Sequence, residues 1–157
     1  MGDKIVEASV TIGRPVEDVF AFYRDFTNLA KFLGDVMAIE PTGPGTTRWT
    51  IQGPLGIQAH WTMQVTEERA NELIRYHTVS APGLTTSWEV HFDRAPNETR
   101  VREVMTMPLG ALGLAALALI GKFPAKEESA NLHRLKQLLE TGRVTDTSYA
   151  VAGKFGR

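Results

Sequence analysis

Polar and apolar residues alternate from residue 4 to residue 12, which is the period-2 pattern of a strand with one buried face. Gly13 and Pro15 interrupt this alternation. The apolar positions then recur at helical spacing as far as Tyr23, which predicts a helix with Pro15 in its first turn. A second short helix is predicted at 28–33, because its apolar positions keep the helical spacing and Gly34 follows them.

A period of two returns at residue 35 and persists for about seventy residues. Turn-forming Pro, Gly and Asn divide this region into six segments, at 35–40, 46–52, 57–69, 72–79, 84–94 and 98–107. The connections are too short for the crossovers that parallel strands require. We therefore predict six further strands in an antiparallel meander.

The strongest helical pattern starts at Pro124 and ends before Gly142, with leucines recurring at helical spacing between them. Such an amphipathic helix can cover the apolar face of the sheet. Residues 144–157 show no sustained periodicity, so this tail is either disordered or docked as an irregular strap. The predicted organisation is one domain at 1–143 and a C-terminal tail at 144–157.

Composition excludes several classes of function. The chain has 157 residues, enough for one domain with a sizeable core, and no cysteine, so neither disulfides nor a thiolate zinc site is available. With 17 basic and 18 acidic residues it offers no positive field for nucleic acid. The four histidines lack the spacing of metal ligands, and we expect no metal or cofactor. The first residues lack the apolar core of a secretory signal, so a cytoplasmic location is expected.

The order of elements resembles that of the START-like, helix-grip (SRPBCC) superfamily. Within it, the similarity is closest to the polyketide cyclase/dehydratase and lipid-transport family, including its coenzyme Q-binding branch. The similarity covers residues 4 to 143 and is carried by segments 14–19, 71–76, 90–92, 99–101 and 135–142 and by the strand containing Trp49. It implies an α+β fold in which a seven-stranded, curved antiparallel sheet surrounds a long C-terminal helix, with two short helices between the first two strands.

One face of the predicted sheet is rich in aromatic and methionine side chains. From the residues alone, this face either fills a plain core or lines a cavity between sheet and helix. The resemblance implies a deep hydrophobic cavity. The residues predicted to contact a ligand there are Trp49, Trp61, Met63, Tyr76, Trp88, Val90, Glu103, Met105, Leu117 and Ile120.

Glu103 stands out because it is in phase with Val101 and Met105, where the pattern predicts an apolar residue. A bulge could turn it outward, or it could pair with Arg100 or Arg102 at the surface. The functional alternative is a polar anchor that hydrogen-bonds a ligand carbonyl or hydroxyl.

No charged residue occurs between Val104 and Ile120, and glycines interrupt this stretch. The resemblance places it at the mouth of the cavity, as a gate. Residues 111–121 are also a candidate surface for transient membrane contact, since the following segment, 122–157, carries seven basic and four acidic residues.

Three functions are compatible with these features. The first is binding or transport of a hydrophobic small molecule, for which the resemblance implies a lipid, an isoprenoid quinone or a polyketide-like aromatic. The alternative is a cyclase/dehydratase enzyme in which Glu103 or Tyr76 supplies acid/base chemistry. The third is a docking role for the apolar segment alone. The scarcity of polar residues on the inner face favours binding over catalysis.

Overall fold

The computed structural model describes residues 3–79, 85–108, 113 and 122–156. The predicted seven-stranded antiparallel sheet is confirmed, and its strands lie in the order β1-β7-β6-β5-β4-β3-β2. The first and last strands of the chain are thus neighbours, and β1 and β2 form the two edges. The strands are β1 Lys4–Ile12, β2 Val36–Gly43, β3 Thr46–Gln52, β4 Gln58–Arg69, β5 Leu73–Thr78, β6 Ser87–Ala95 and β7 Glu98–Met107.

Strand β2 continues to Gly43, beyond the segment predicted at 35–40, and therefore includes Pro41. A proline cannot donate a hydrogen bond to a neighbouring strand, but β2 is an edge strand and needs no second partner. Register shifts near Ala38 and Gly43 accommodate the extra length, and the β2–β3 hairpin turns at Gly45, whose φ of 68° suits glycine.

Two short helices separate β1 from β2. Helix α1 spans Val16–Arg24 and buries Val16, Val19, Phe20 and Tyr23, the face predicted from the sequence. The second is a 3-10 helix at Phe26–Lys31, two residues earlier than the helix predicted at 28–33. It starts early because the Asp25 side chain accepts hydrogen bonds from the Thr27 backbone N–H and hydroxyl. A further 3-10 turn, Pro54–Gly56, connects β3 to β4.

The long helix α2, Pro124–Thr141, lies beside β1 on the inner face of the sheet and ends at Gly142, which has the left-handed φ of 77°. Its C-terminal half is fixed to the strand by Lys136 Nζ, which donates to the Thr11 carbonyl at 2.6 Å. The Glu140 carboxylate accepts from the Gly13 N–H at 2.6 Å. Leu132 and Leu135 join the core beneath the helix.

The C-terminal tail docks as an irregular strap, which is one of the two alternatives left open by its sequence. The Val151 N–H donates to the Gly34 carbonyl at 2.9 Å. A Cβ at Gly34 would lie 2.7 Å from the Tyr149 carbonyl oxygen, so the strap approaches too closely for any larger residue. The Lys154 ammonium donates to the carbonyls of Leu33 and Val36.

The predicted gate and the surface at 111–121 lie outside the described residues, except for Gly113. Within the part of the chain that is described, none of the helices combines the length and hydropathy required to cross a membrane.

Candidate functional site

A cavity of about 310 Å³ lies between the inner face of the sheet and the first half of α2. Its volume is at the small end of the range typical of ligand pockets. One wall is formed by β3 to β7, and the other by residues 33–36 and α2. The lining residues are Leu33, Asp35, Val36, Trp49, Ile51, Trp61, Met63, Tyr76, Thr78, Thr86, Trp88, Glu103, Met105, Met107, Lys122, Pro124, Glu127, Glu128 and Asn131.

Seven of the ten residues predicted to contact a ligand lie in this wall: Trp49, Trp61, Met63, Tyr76, Trp88, Glu103 and Met105. Val90 does not line the cavity. It is fully buried in the core, next to Phe92, where the aromatic side chains of α1 pack against β6 and fill the space. Leu117 and Ile120 lie outside the described residues.

The apolar wall is built largely from aromatic rings. Tyr76 and Trp88 stack face to face, with ring centroids 4.9 Å apart and planes 9° apart. The ring centroids of Trp49 and Tyr76 are 6.2 Å apart. Trp61 remains 40% exposed. The chain's three tryptophans all belong to the wall, so their fluorescence reports directly on its contents.

Glu103 faces into the cavity. Strand β7 keeps an unbroken register with both neighbours, Glu103 pairing with Ala8 and with Val90, so no bulge turns its side chain outward. The side chain is 6% exposed, and its Oε2 accepts a hydrogen bond from the Tyr23 hydroxyl at 2.9 Å. Burial raises the pKa of Glu103 to about 7, although the Tyr23 hydrogen bond acts in the opposite direction.

A second buried acid, Glu128 of α2, was missed by the sequence analysis. It is 4% exposed, lines the cavity, and neither of its carboxyl oxygens has a hydrogen-bond partner among the described residues. Burial, followed by the negative charges of Glu103 and Glu7, raises the pKa of Glu128 to about 10. The signal was present in the sequence, because Glu128 is in helical phase with Leu132 and Leu135 on the apolar face.

Tyr23 was predicted only as a core residue of α1. Its hydroxyl is buried with Glu103, and burial together with that acid's charge raises its pKa well above the ordinary value. The sequence signal is weak but real, since a buried tyrosine hydroxyl usually has a polar partner.

The polar end of the cavity carries three further charged groups. Lys122 Nζ lies 2.8 Å from a Glu127 carboxylate oxygen and 3.4 Å from an Asp35 carboxylate oxygen. The described part of the lining therefore contains four carboxyl groups and one amine. Within the residues that the structure describes, no cluster of histidine and acidic side chains could hold a metal ion.

Burial raises the pKa of both acids, and that of Glu128 is raised further than that of Glu103. A protonated carboxyl group can donate a hydrogen bond, and an ionised one accepts hydrogen bonds only. The arrangement can therefore anchor the polar group of an apolar molecule, or transfer a proton to and from it.

The family model described as polyketide cyclase/dehydrase and lipid transport matches residues 4–140. No curated protein matches the chain. A solved structure from Deinococcus radiodurans is 25% identical, with a TM-score of 0.68, and the match covers 88% of this chain and 99% of that one.

Two more distant structures share the fold. The Zhui aromatase/cyclase from Streptomyces sp. R1128 is 16% identical, with a TM-score of 0.66 and coverage of 92% of this chain and 100% of that one. A START superfamily protein from Mycobacterium smegmatis is 14% identical, with a TM-score of 0.66 and coverage of 87% and 99%. The helix-grip fold inferred from the sequence is confirmed by these similarities.

Proposed function

The chain belongs to the polyketide cyclase/dehydrase and lipid transport family, and from this premise we propose that it binds a hydrophobic small molecule between the sheet and α2. The observation that carries the proposal is the wall of three tryptophans, a tyrosine and methionines around a cavity of about 310 Å³. Apolar surface left facing such a space is stabilised when a ligand covers it.

The apolar part of the ligand would lie against the apolar side chains of the wall, such as Trp61, Met63 and Met105, and its polar group would face Glu103 and Glu128. Lipids, isoprenoid quinones and polyketide-like aromatics all provide a suitable apolar part. We expect the polar group to decide which of these ligand classes binds most tightly, because the polar side chains of the described wall are concentrated at one end of the cavity.

Organic extraction of the purified protein, followed by mass spectrometry, tests this function. We expect a lipophilic compound in near-stoichiometric amount from the unmodified protein. Met105→Trp places an indole inside the cavity and should remove the compound. Met37→Trp is the matched control, because Met37 is 40% exposed on the edge strand β2 and does not line the cavity. Equal yields from both variants would contradict the proposal.

A cyclase/dehydratase activity is the second candidate, favoured by the presence of two buried acids in the same cavity wall. In a dehydration, Glu103 would accept the proton from carbon while Glu128 donates its proton to the departing hydroxyl, and water leaves. Turnover of a β-hydroxyketone mimic should then disappear in both Glu103→Gln and Glu128→Gln. Unchanged turnover in either variant would exclude this mechanism.

A further inference from the structure

The charges around the cavity limit the polar group that a ligand can carry, if the proposed function holds. Among the described residues, four carboxyl groups line the space, and the one amine that lines it, Lys122, already pairs with Asp35 and Glu127. An anionic ligand group would approach buried acids with no free cation in the described wall. Carboxylate and phosphate groups are therefore disfavoured.

Glu128 adds a more specific requirement. Its carboxyl oxygens are buried and have no partner among the described residues, which is an unfavourable state for a polar group. A ligand hydroxyl could satisfy one oxygen. An ammonium group supplies several N–H donors for these oxygens, and its positive charge favours the ionised form of both Glu128 and Glu103.

The aromatic wall strengthens this preference. Cations are attracted to the faces of tryptophan and tyrosine rings, and aromatic cages with nearby acids are a general solution for recognising ammonium groups. The cavity combines such rings, Trp49, Tyr76 and Trp88, with two buried acids. Its remaining volume is apolar and accommodates a hydrocarbon or aromatic portion.

We propose that the ligand of this cavity is a lipophilic amine, bound in its protonated form with Glu128 and Glu103 as counter-ions. The groups that act electrostatically on Glu128 are Glu7 on β1, Tyr76 on β5 and Glu103 on β7. Tyr23 on α1 hydrogen-bonds Glu103, and Asp35, Lys122 and Glu127 line the polar end of the same cavity. A bound ammonium group stabilises the ionised form of the acids, so amine binding releases protons that Glu128 and Glu103 hold in the empty cavity.

The test uses n-octylamine, n-octanol and n-octanoate, which share one hydrocarbon chain and differ in the charge of the polar group. Each is titrated into ligand-stripped protein at neutral pH while tryptophan fluorescence is recorded. We expect octylamine to bind about tenfold more tightly than octanol, a difference of about 1.4 kcal/mol, and octanoate to bind most weakly. Calorimetry in buffers of different ionisation enthalpy should show proton release with octylamine and none with octanol.

Glu128→Gln keeps the size of the side chain and removes its ability to ionise when an amine binds. It should abolish most of the preference for octylamine and leave octanol affinity within about twofold. Glu68→Gln, which alters an exposed acid paired with Arg24 at 2.9 Å, is the matched control and should keep the preference. Glu103→Gln provides an independent check if the Glu128 variant does not fold.

Equal affinities for octylamine and octanol, or a preference that survives Glu128→Gln, would overturn the inference while leaving hydrophobic binding intact. If none of the three compounds changes the fluorescence, the proposed function fails as well. The two failures are therefore distinguishable.

Discussion

Glu128 destabilises the folded protein, and the same property makes it a candidate for binding a ligand. A buried carboxyl group without hydrogen-bond partners destabilises the folded protein by about 1–3 kcal/mol. Apolar residues of similar volume would pack at that position without this penalty. A destabilising group in the wall of a cavity is a candidate for function, since functional sites are where such costs are retained.

The pKa of Glu128 predicts how stability depends on pH. Because this pKa is raised to about 10 in the folded protein, folding takes up a proton at every pH between the unfolded and the folded pKa. The stabilising effect of the protonated form is complete at about pH 4 and is lost as the pH rises, by up to about 1.4 kcal/mol per unit. Protonated Glu103 contributes stability in the same way, and this contribution is lost as the pH rises to its pKa of about 7.

We therefore expect Glu128→Gln to unfold at a higher urea concentration than the unmodified protein at about pH 8, and at nearly the same concentration at about pH 5. Glu68→Gln, on the surface, should show no such pH-dependent difference. A constant difference between Glu128→Gln and the unmodified protein across this range would show that Glu128 is ionised in the folded state.

Tyr23 controls the second acid. Its hydroxyl donates to Glu103 and favours the ionised carboxylate, so Tyr23→Phe should raise the pKa of Glu103 above about 7. Carbon-detected NMR of the glutamate carboxyl groups measures this shift. Tyr149→Phe is the control, because Tyr149 is 46% exposed and belongs to the strap. An unchanged Glu103 titration in Tyr23→Phe would show that the hydrogen bond does not form in solution.

Sequence reasoning found one of these three residues. Glu103 interrupts an apolar alternation in a strand, and a single charge at such a position is conspicuous. Glu128 follows Glu127 at the start of a helix, where the helix dipole favours acids, so its charge at that position does not stand out in the sequence. Tyr23 is apolar in most of its surface, so periodicity alone cannot identify the partner of its hydroxyl.

At the scale of elements, Arg134 of α2 holds three parts of the fold together. Its fully buried guanidinium donates to the Phe32 carbonyl at 2.7 Å, to the Ser148 carbonyl at 2.6 Å and to the Asn131 side chain at 2.5 Å. The aromatic ring of Phe155 lies 5.0 Å from the guanidinium carbon. The helix, the segment before β2 and the strap thus share one cation.

Replacing this cation should loosen the strap. Arg134→Met leaves the buried Phe32 carbonyl and the partly buried Ser148 carbonyl without this donor, and we expect a loss of about 3 kcal/mol in the free energy of unfolding. Limited proteolysis should cut the tail faster than in the unmodified protein. Lys126→Met, at an exposed position of the same helix, should change neither measurement. Normal protection of the tail in Arg134→Met would show that the backbone contacts at Gly34 suffice.

Element boundaries were largely predictable where one periodicity persists, as in β3, β7 and α2. The tail was not, because no repeating pattern underlies its docking. The docking depends on the close approach at Gly34, on the hydrogen bonds of Lys154 and on the hydrogen bond from buried Arg134 to the Ser148 carbonyl. Arg134 and Ser148 are more than ten residues apart in sequence. Such contacts become visible only when the fold brings the segments together.

At the scale of the molecule, a plain core and a ligand cavity produce the same alternation of residues. Both require apolar side chains on the inner face of the sheet. The difference lies in how closely α2 and the 33–36 segment approach that face, and the strap holds the 33–36 segment in place through Lys154. Sequence patterns therefore predicted the wall residues but not the volume between them.

A ligand that fills the cavity should stabilise the whole folded protein, whatever the charge of the ligand. A compound that binds only the folded state at about 100 times its dissociation constant stabilises it by about 2.7 kcal/mol. For a chain of this length, this corresponds to an increase of about 5–10 °C in Tm. We expect n-octanol to produce this increase in ligand-stripped protein and in Met37→Trp, measured by calorimetry. Met105→Trp, with its cavity filled, should show a much smaller increase. If octanol changes tryptophan fluorescence without raising Tm in the unmodified protein, it binds the unfolded chain equally well, and the cavity is then not its site.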